Sequence, residues 1–175
     1  MKKNLVLGVV LTVFVAFAVW MFMEKRQVAY VDTNVLMENY KGMITAKKEY
    51  EGKVKVWKAN VDSLMKNWEV ELKVYEKERT SMSKKEIKLK EELLRNKQQQ
   101  IGNYQQAIQE KAMKEEQIAT QTVVNQVNDY IKEYGKKHGY DFIYGANGTG
   151  NIVYANKDYD ITEDVLKGLN DEYTN

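Results

Sequence analysis

Few residues in this sequence could do chemistry, and each sits in a pattern that points first to structure. Among 175 residues there is one histidine, no cysteine and no proline. His138, in Lys136-Lys137-His138-Gly139, is the only imidazole available for proton transfer or metal ligation near neutral pH. It falls at the end of a charged helical stretch, where a cation meets the helix dipole favourably. Without cysteine there is no thiolate nucleophile, disulfide or thiolate metal site. Gly145, Gly148 and Gly150 are spaced like a phosphate loop, but no Lys-Ser/Thr comes after them and the next segment reads as a strand. Asp158, Asp160, Glu163 and Asp164 lack the spacing and closing glutamate of a calcium loop, and instead suit helix capping and an acidic surface. Trp57 and Trp68 fall at helical spacing and are expected to pack in a seam. No activated nucleophile or matched acid–base pair stands out. The expectation is a non-enzyme with no catalytic residues, no cofactor and no metal.

Charge adds a second exclusion. The formal net charge is +2, but residues 1–26 hold four cations and one anion, so residues 27–175 carry 23 cations and 24 anions. A nucleic-acid binder needs a basic excess to neutralise phosphates, and none is expected as a partner. Charge is also polarised along the chain. Residues 73–97 hold nine cations against five anions, and residues 140–175 hold two against seven. Lys84, Lys85, Lys88 and Lys90 are the candidates for electrostatic capture of an acidic partner.

Leu5 to Met23 is an uncharged run of 19 residues between Met1-Lys2-Lys3 and Glu24-Lys25-Arg26. A run of ~18 or more apolar residues can cross a bilayer as a helix, whereas a cleavable signal has an apolar core of ~7–15. Residues 1–26 therefore read as a signal peptide or an N-terminal membrane anchor, and the bulky residues after Ala18 favour retention. Either way the remainder is expected on the far side of the membrane.

The elements that must position these residues are set by pattern. Gln27 to Val31 alternates and reads as a strand, so residues 27–33 form a first body strand. Asp32 or Thr33 can cap the helix that starts next. Residues 34–138 are rich in Lys, Glu and Gln and are expected to be helical. The apolar period lapses at Arg79-Thr-Ser-Met-Ser83, and Ser83 with Glu86 makes a capping-box pattern. This divides the region into two arms, about 34–79 and 84–136, with a tip near 79–84. Val54, Val61, Trp68 and Tyr75 recur every seven residues, as do Ile87, Leu94, Ile101 and Ile108. Folded back at Ser81, Tyr75 meets Ile87, Trp68 meets Leu94, Val61 meets Ile101 and Val54 meets Ile108. An antiparallel helical hairpin needs such a mirrored ladder. A second seam would set Trp57 and Leu64 against Gln105 and Gln98, and Leu72 against Lys90, leaving polar layers able to bend. Residues 139–175 complete the body. Gly139 stops the helix, Asp141–Tyr144 and Asn151–Tyr154 form a β-hairpin around Asn147-Gly148, and a last helix capped by Thr162 buries Val165, Leu166 and Leu169. The fold class is α+β, a small β body with a long helical-hairpin arm. Three short strands carrying Val28, Tyr30, Phe142, Ile143, Ile152 and Tyr154 are too few to close a core in one protomer, so these residues are candidates for an oligomer core.

Val28-Ala-Tyr-Val-Asp32, the Lys/Glu/Gln hairpin, Gly139-Tyr-Asp-Phe-Ile143, Asn151-Ile-Val-Tyr-Ala155 and Asp160-Ile-Thr-Glu-Asp-Val-Leu166 together resemble the Skp/OmpH family of periplasmic chaperones. The resemblance spans about residues 27–170. It implies a jellyfish-shaped homotrimer whose β body joins the protomers and whose arms enclose a cavity. It also implies that unfolded outer-membrane or envelope proteins are the partners, held without ATP in the periplasm. The family's best-known members are strongly basic, whereas residues 27–175 are almost neutral, so no lipopolysaccharide-binding residues are carried over. A membrane-anchored coiled-coil tether of the envelope is the alternative function.

Overall fold

The structure is a computed structural model that describes residues 27–174. The run from Leu5 to Met23, and with it the choice between anchor and signal, lies outside the described residues. Two compact units are formed, one from the described residues up to Met37 together with Val127 onward, the other from Glu38–Gln126.

In the first unit, β1 (Val28–Asp32) pairs in parallel with β2 (Phe142–Ala146), Val28 opposite Phe142 and Asp32 opposite Ala146. Strand alternation sends Ala29 and Val31 inward, each 1% exposed, and leaves Val28 and Tyr30 half-buried. The other edge of β1 is met by the chain just before the last helix, where Ile161 N–H donates to the Tyr30 carbonyl at 3.0 Å. Asp32 caps α1 (Thr33–Asn39), its carboxylate accepting from Asn34 and Val35 N–H at 2.9 and 3.2 Å. α4 (Thr162–Thr174) buries Val165 and Leu169. Its side-chain cap is Asp160, where sequence pointed to Thr162. Asp160 accepts the Thr162 N–H at 2.9 Å, while the buried Thr162 hydroxyl accepts from Asp32 N–H at 2.8 Å. Leu36, Val127 and Ile161 complete a buried apolar set within this one unit.

The expected β-hairpin does not form. Its first half is β2, but residues 151–154 make no ladder. Side chains replace that ladder. Asn151 Nδ2 donates to the Gly145 carbonyl, Asn147 N–H donates to Asn151 Oδ1 at 3.3 Å, and Asn147 Oδ1 accepts from Thr149 N–H at 3.0 Å. Short amide side chains bonding nearby backbone compete with strand pairing in this way. The turn does use left-handed glycines, with φ of 71° at Gly148 and 96° at Gly150.

The second unit is an antiparallel pair of helices. α2 (Lys41–Glu78) is followed by a 3₁₀ turn (Arg79–Ser81) that reverses the chain into α3 (Lys84–His138), whose residues from Val127 belong to the first unit. The capping box is realised, with Ser83 N–H donating to Glu86 at 2.7 Å and Glu86 N–H donating to Ser83 Oγ at 3.3 Å. A single helix from about residue 34 was expected, but Tyr40 breaks it with an extended backbone (φ −71°, ψ 122°). The Tyr40 ring lies so close to Gly42 that any Cβ there would strike it. α3 ends as expected, with Gly139 at φ 75° and Tyr140 N–H donating to the Gly135 carbonyl at 3.0 Å.

Leu36 is fully buried, so Leu36→Ala is expected to cost about 3 kcal/mol of stability through lost burial and a residual cavity. Urea unfolding followed by circular dichroism measures it.

Candidate functional site

Two surfaces stand out, the helical pair and the outer edge of the sheet. In the helical pair every rung of the predicted ladder is turned inward. Val61, Tyr75 and Leu94 are buried, and Val54, Trp68, Ile87, Ile101 and Ile108 are half-buried. Trp68 indole N–H donates to the Leu94 carbonyl at 2.9 Å, which sets the register of that rung. The Tyr75 hydroxyl donates to Glu91 at 2.7 Å, and this bond, with burial, raises the phenol above its ordinary pKa. Glu91 also lies 3.6 Å from Arg79. Across the seam from that group, Lys97 Nζ donates to both Glu71 oxygens at 2.6 Å. Nearer the start of α2, Lys53 pairs with Glu115 at 2.8 Å.

The second seam differs from its expected pairing. Trp57 is covered by Lys111, whose Nζ lies 4.9 Å from the ring centroid. Leu64 shares a groove with Tyr104, and Gln98 and Gln105 are exposed. In an antiparallel pair, residues three after a rung on both helices lie on the same side of the seam. The mirrored count instead crossed from one side to the other. Real rungs on this side are therefore Trp57–Lys111 and Leu64–Tyr104, with the Glu71–Lys97 pair next along.

At the tip Lys84, Lys85 and Lys88 are exposed and Lys90 is half-buried. Glu86, which could neutralise them, is committed to the cap. Its bonds to the Ser83 hydroxyl and N–H hold its carboxyl below the usual range. Sequence reasoning missed four apolar residues beside these lysines. Val70, Val74, Leu89 and Leu93 are 53%, 42%, 58% and 44% exposed. The signal was there as two i, i+4 pairs outside the heptad.

The oligomer-core candidates fall in different places. Val28 and Phe142 are register partners, and Tyr30 lies opposite Tyr144. Ile143 turns toward its own helix, its Cδ1 against the buried Gly135. Ile152 is half-buried outside any strand, while Tyr154 is 87% exposed beside an exposed Val153. Among the described residues β2 has a strand partner on one side only. On it Phe142 and Tyr144 are half-exposed, with ring centroids 6.0 Å apart. Tyr144, which sequence did not single out, is the period-two neighbour of Phe142. His138 stacks on Tyr134 at 4.1 Å in the last turn of α3.

A known family model, described as outer membrane protein (OmpH-like), matches this chain over residues 27–169. The chain belongs to the OmpH-like family. Its fold is also similar to a crystal structure from Caulobacter crescentus CB15 described as a candidate outer membrane chaperone (OmpH-like). The TM-score is 0.76 at 15% identity, covering 85% of this chain and 86% of that one. Comparison with curated proteins gave no match. The OmpH-like fold here is mostly helical, with a two-stranded sheet. Among the described residues no helix is long and apolar enough to cross a membrane.

Two outcomes are expected for the helical pair. Trp68→Phe removes the donor to Leu94 while keeping an aromatic ring, and should lower stability by about 1 kcal/mol in thermal or urea unfolding. Because the folded pKa of Glu86 is depressed, its contribution is present above the ordinary carboxylate pKa and lost as pH falls through the folded value. The stability gap between wild type and Glu86→Gln should therefore be largest near neutrality and close on acidification.

Proposed function

We propose that this OmpH-like chain is an ATP-independent holdase of the periplasm that keeps unfolded outer-membrane proteins from aggregating. Membership of the family carries the chaperone reading, and the solved relative's description agrees with it. The surface chemistry supports the holdase mode. The helical pair sets exposed Val and Leu side chains beside a tip with an excess of lysines. Charge then speeds encounter with acidic clients, and many weak apolar contacts retain them.

Assembly as a homotrimer through the first unit belongs to the same proposal. The unpartnered edge of β2 offers backbone groups to another chain. Phe142 and Tyr144 on that strand, with the strand-like Ile152–Tyr154 segment, supply apolar area that one protomer leaves exposed. Val28, Tyr30, Phe142 and Tyr154 would be covered on association, and Ile143 would support β2 from behind.

Two measurements check this reading. Sedimentation of the full-length protein should give a trimer at micromolar concentration, and Phe142→Asp should dissociate it by placing a charge at the joint. Full-length protein should also suppress aggregation of a denatured outer-membrane barrel protein diluted into buffer without ATP. A charge-only grip would weaken steeply with salt, since the screening length is ~10 Å at 0.1 M. The mixed mode should keep much of its protection there. A monomer that protects nothing would sink both parts.

A further inference from the structure

Of the four exposed apolar side chains near the tip, Val74 and Leu93 fall on one side of the helical pair. The Trp68–Leu94 bond fixes the height, setting Val70 and Val74 of α2 level with Leu93 and Leu89 of α3. The Glu71–Lys97 pair marks one side of the seam. Val74 lies three residues after Glu71 and Leu93 four before Lys97. At ~100° per residue both steps turn ~40–60° round from the pair in the same sense. Val70 and Leu89 lie ~80–100° round, which turns them toward the outer faces of their own helices, away from the seam. On the other flank of the same ion pair is a groove of about 490 Å³. Leu64 and Tyr104 form its far walls, at 42% and 37% exposure, and Trp68 and Ile101 line it. The result is a strip running from Leu64 and Tyr104, past one ion pair, to Val74 and Leu93.

We infer that this strip binds an extended client segment of alternating apolar and polar residues, the pattern of an outer-membrane β-strand. The proposal deepens the holdase reading and rests on it. From Leu64 to Val74 the strip is ~15 Å long at 1.5 Å per residue, which matches four or five residues of extended chain at ~3.3 Å each. Alternate side chains of such a segment all face one way, as the strip requires. A second copy of this chain is a poorer occupant. At ~1.5–3 kcal/mol per fully buried side chain and ~25 cal/mol per Å², these half-exposed groups offer only roughly 200–400 Å². A stable protein pair needs about 800 Å² on each side. Weak, reversible capture of a segment needs no more than the strip has. The rim selects the polar residues, because residues 73–97 carry nine cations and five anions, and Lys77 and Lys90 lie three residues from Val74 and Leu93. Acidic polar positions complete the fit.

The test uses full-length protein and a fluorescein-labelled nonapeptide alternating Val or Tyr with Asp or Thr, read by anisotropy. A second peptide of the same composition carries its apolar residues in one block. Val74→Ser combined with Leu93→Gln changes only exposed groups, and helix content by circular dichroism checks that the ladder is intact. This variant should bind the alternating peptide about tenfold more weakly, the factor for ~1.4 kcal/mol. Val56→Ser with Met113→Ser, exposed groups outside the strip, should leave binding unchanged. Equal loss in both variants, binding within twofold of wild type, or equal affinity for the block peptide overturns the inference. So does a loss seen only in flotation with anionic phospholipid vesicles, which would give the strip to a lipid surface. Failure of the holdase reading is distinguishable. In that case full-length protein would leave a denatured barrel protein to aggregate while still holding the alternating peptide on the strip. If protection is normal and the strip variant binds the peptide as wild type does, the strip fails and the holdase reading stands.

Discussion

The parallel pairing of β1 with β2 is the constraint on which the rest of this fold depends. Parallel strands cannot be joined by a tight turn and need a long crossover. Here the crossover contains both long helices, because Val28 must lie opposite Phe142. An antiparallel pair of helices meets this demand, since what α2 carries away α3 returns. The reversal then has to be sharp and self-satisfied. Ser83 and Glu86 provide that by bonding each other's N–H groups at the start of α3.

Within the helical pair, burial and exposure divide the labour. One apolar rung per heptad holds the helices together, and Trp68 and Tyr75 add side-chain hydrogen bonds that fix height. The remaining width of the seam is closed by ion pairs and by Lys111 over Trp57. Such contacts leave the flanks open to solvent. Apolar residues there are available to a partner without weakening the ladder. The proposed holdase activity needs this separation, because a client held by the structural seam would compete with folding of the arm itself.

The sheet illustrates a related economy. Ala29 and Val31 serve the chain's own core, while Phe142 and Tyr144 point the other way and remain half-exposed. The polar junction of Asp32, Asp160 and Thr162 ties strand, first helix and last helix by hydrogen bonds. Its groups saturate one another, so these acidic residues act as caps in the fold.

Sequence by itself determined the elements whose signals are local or periodic. The mirrored heptad, the Ser83–Glu86 box, the stop at Gly139 and the glycine-dependent turn at Gly148 were all legible, because each depends on a few neighbouring residues or a fixed repeat. The order of these elements with the terminal motifs was enough to indicate the family. Only the tertiary structure decided which strand pairs with which. Residues 142–146 and 151–154 look equally strand-like, and the competing bonds from Asn147 and Asn151 become visible only once the loop is built. Tertiary structure also decided the sides of the seam, since rung counting gives height along two helices but not rotation about them. For that reason Trp57 was matched with Gln105 instead of Lys111, and the apolar strip from Leu64 to Leu93 went unseen. Rotation is set by how two helices pack, and no single helix carries that information.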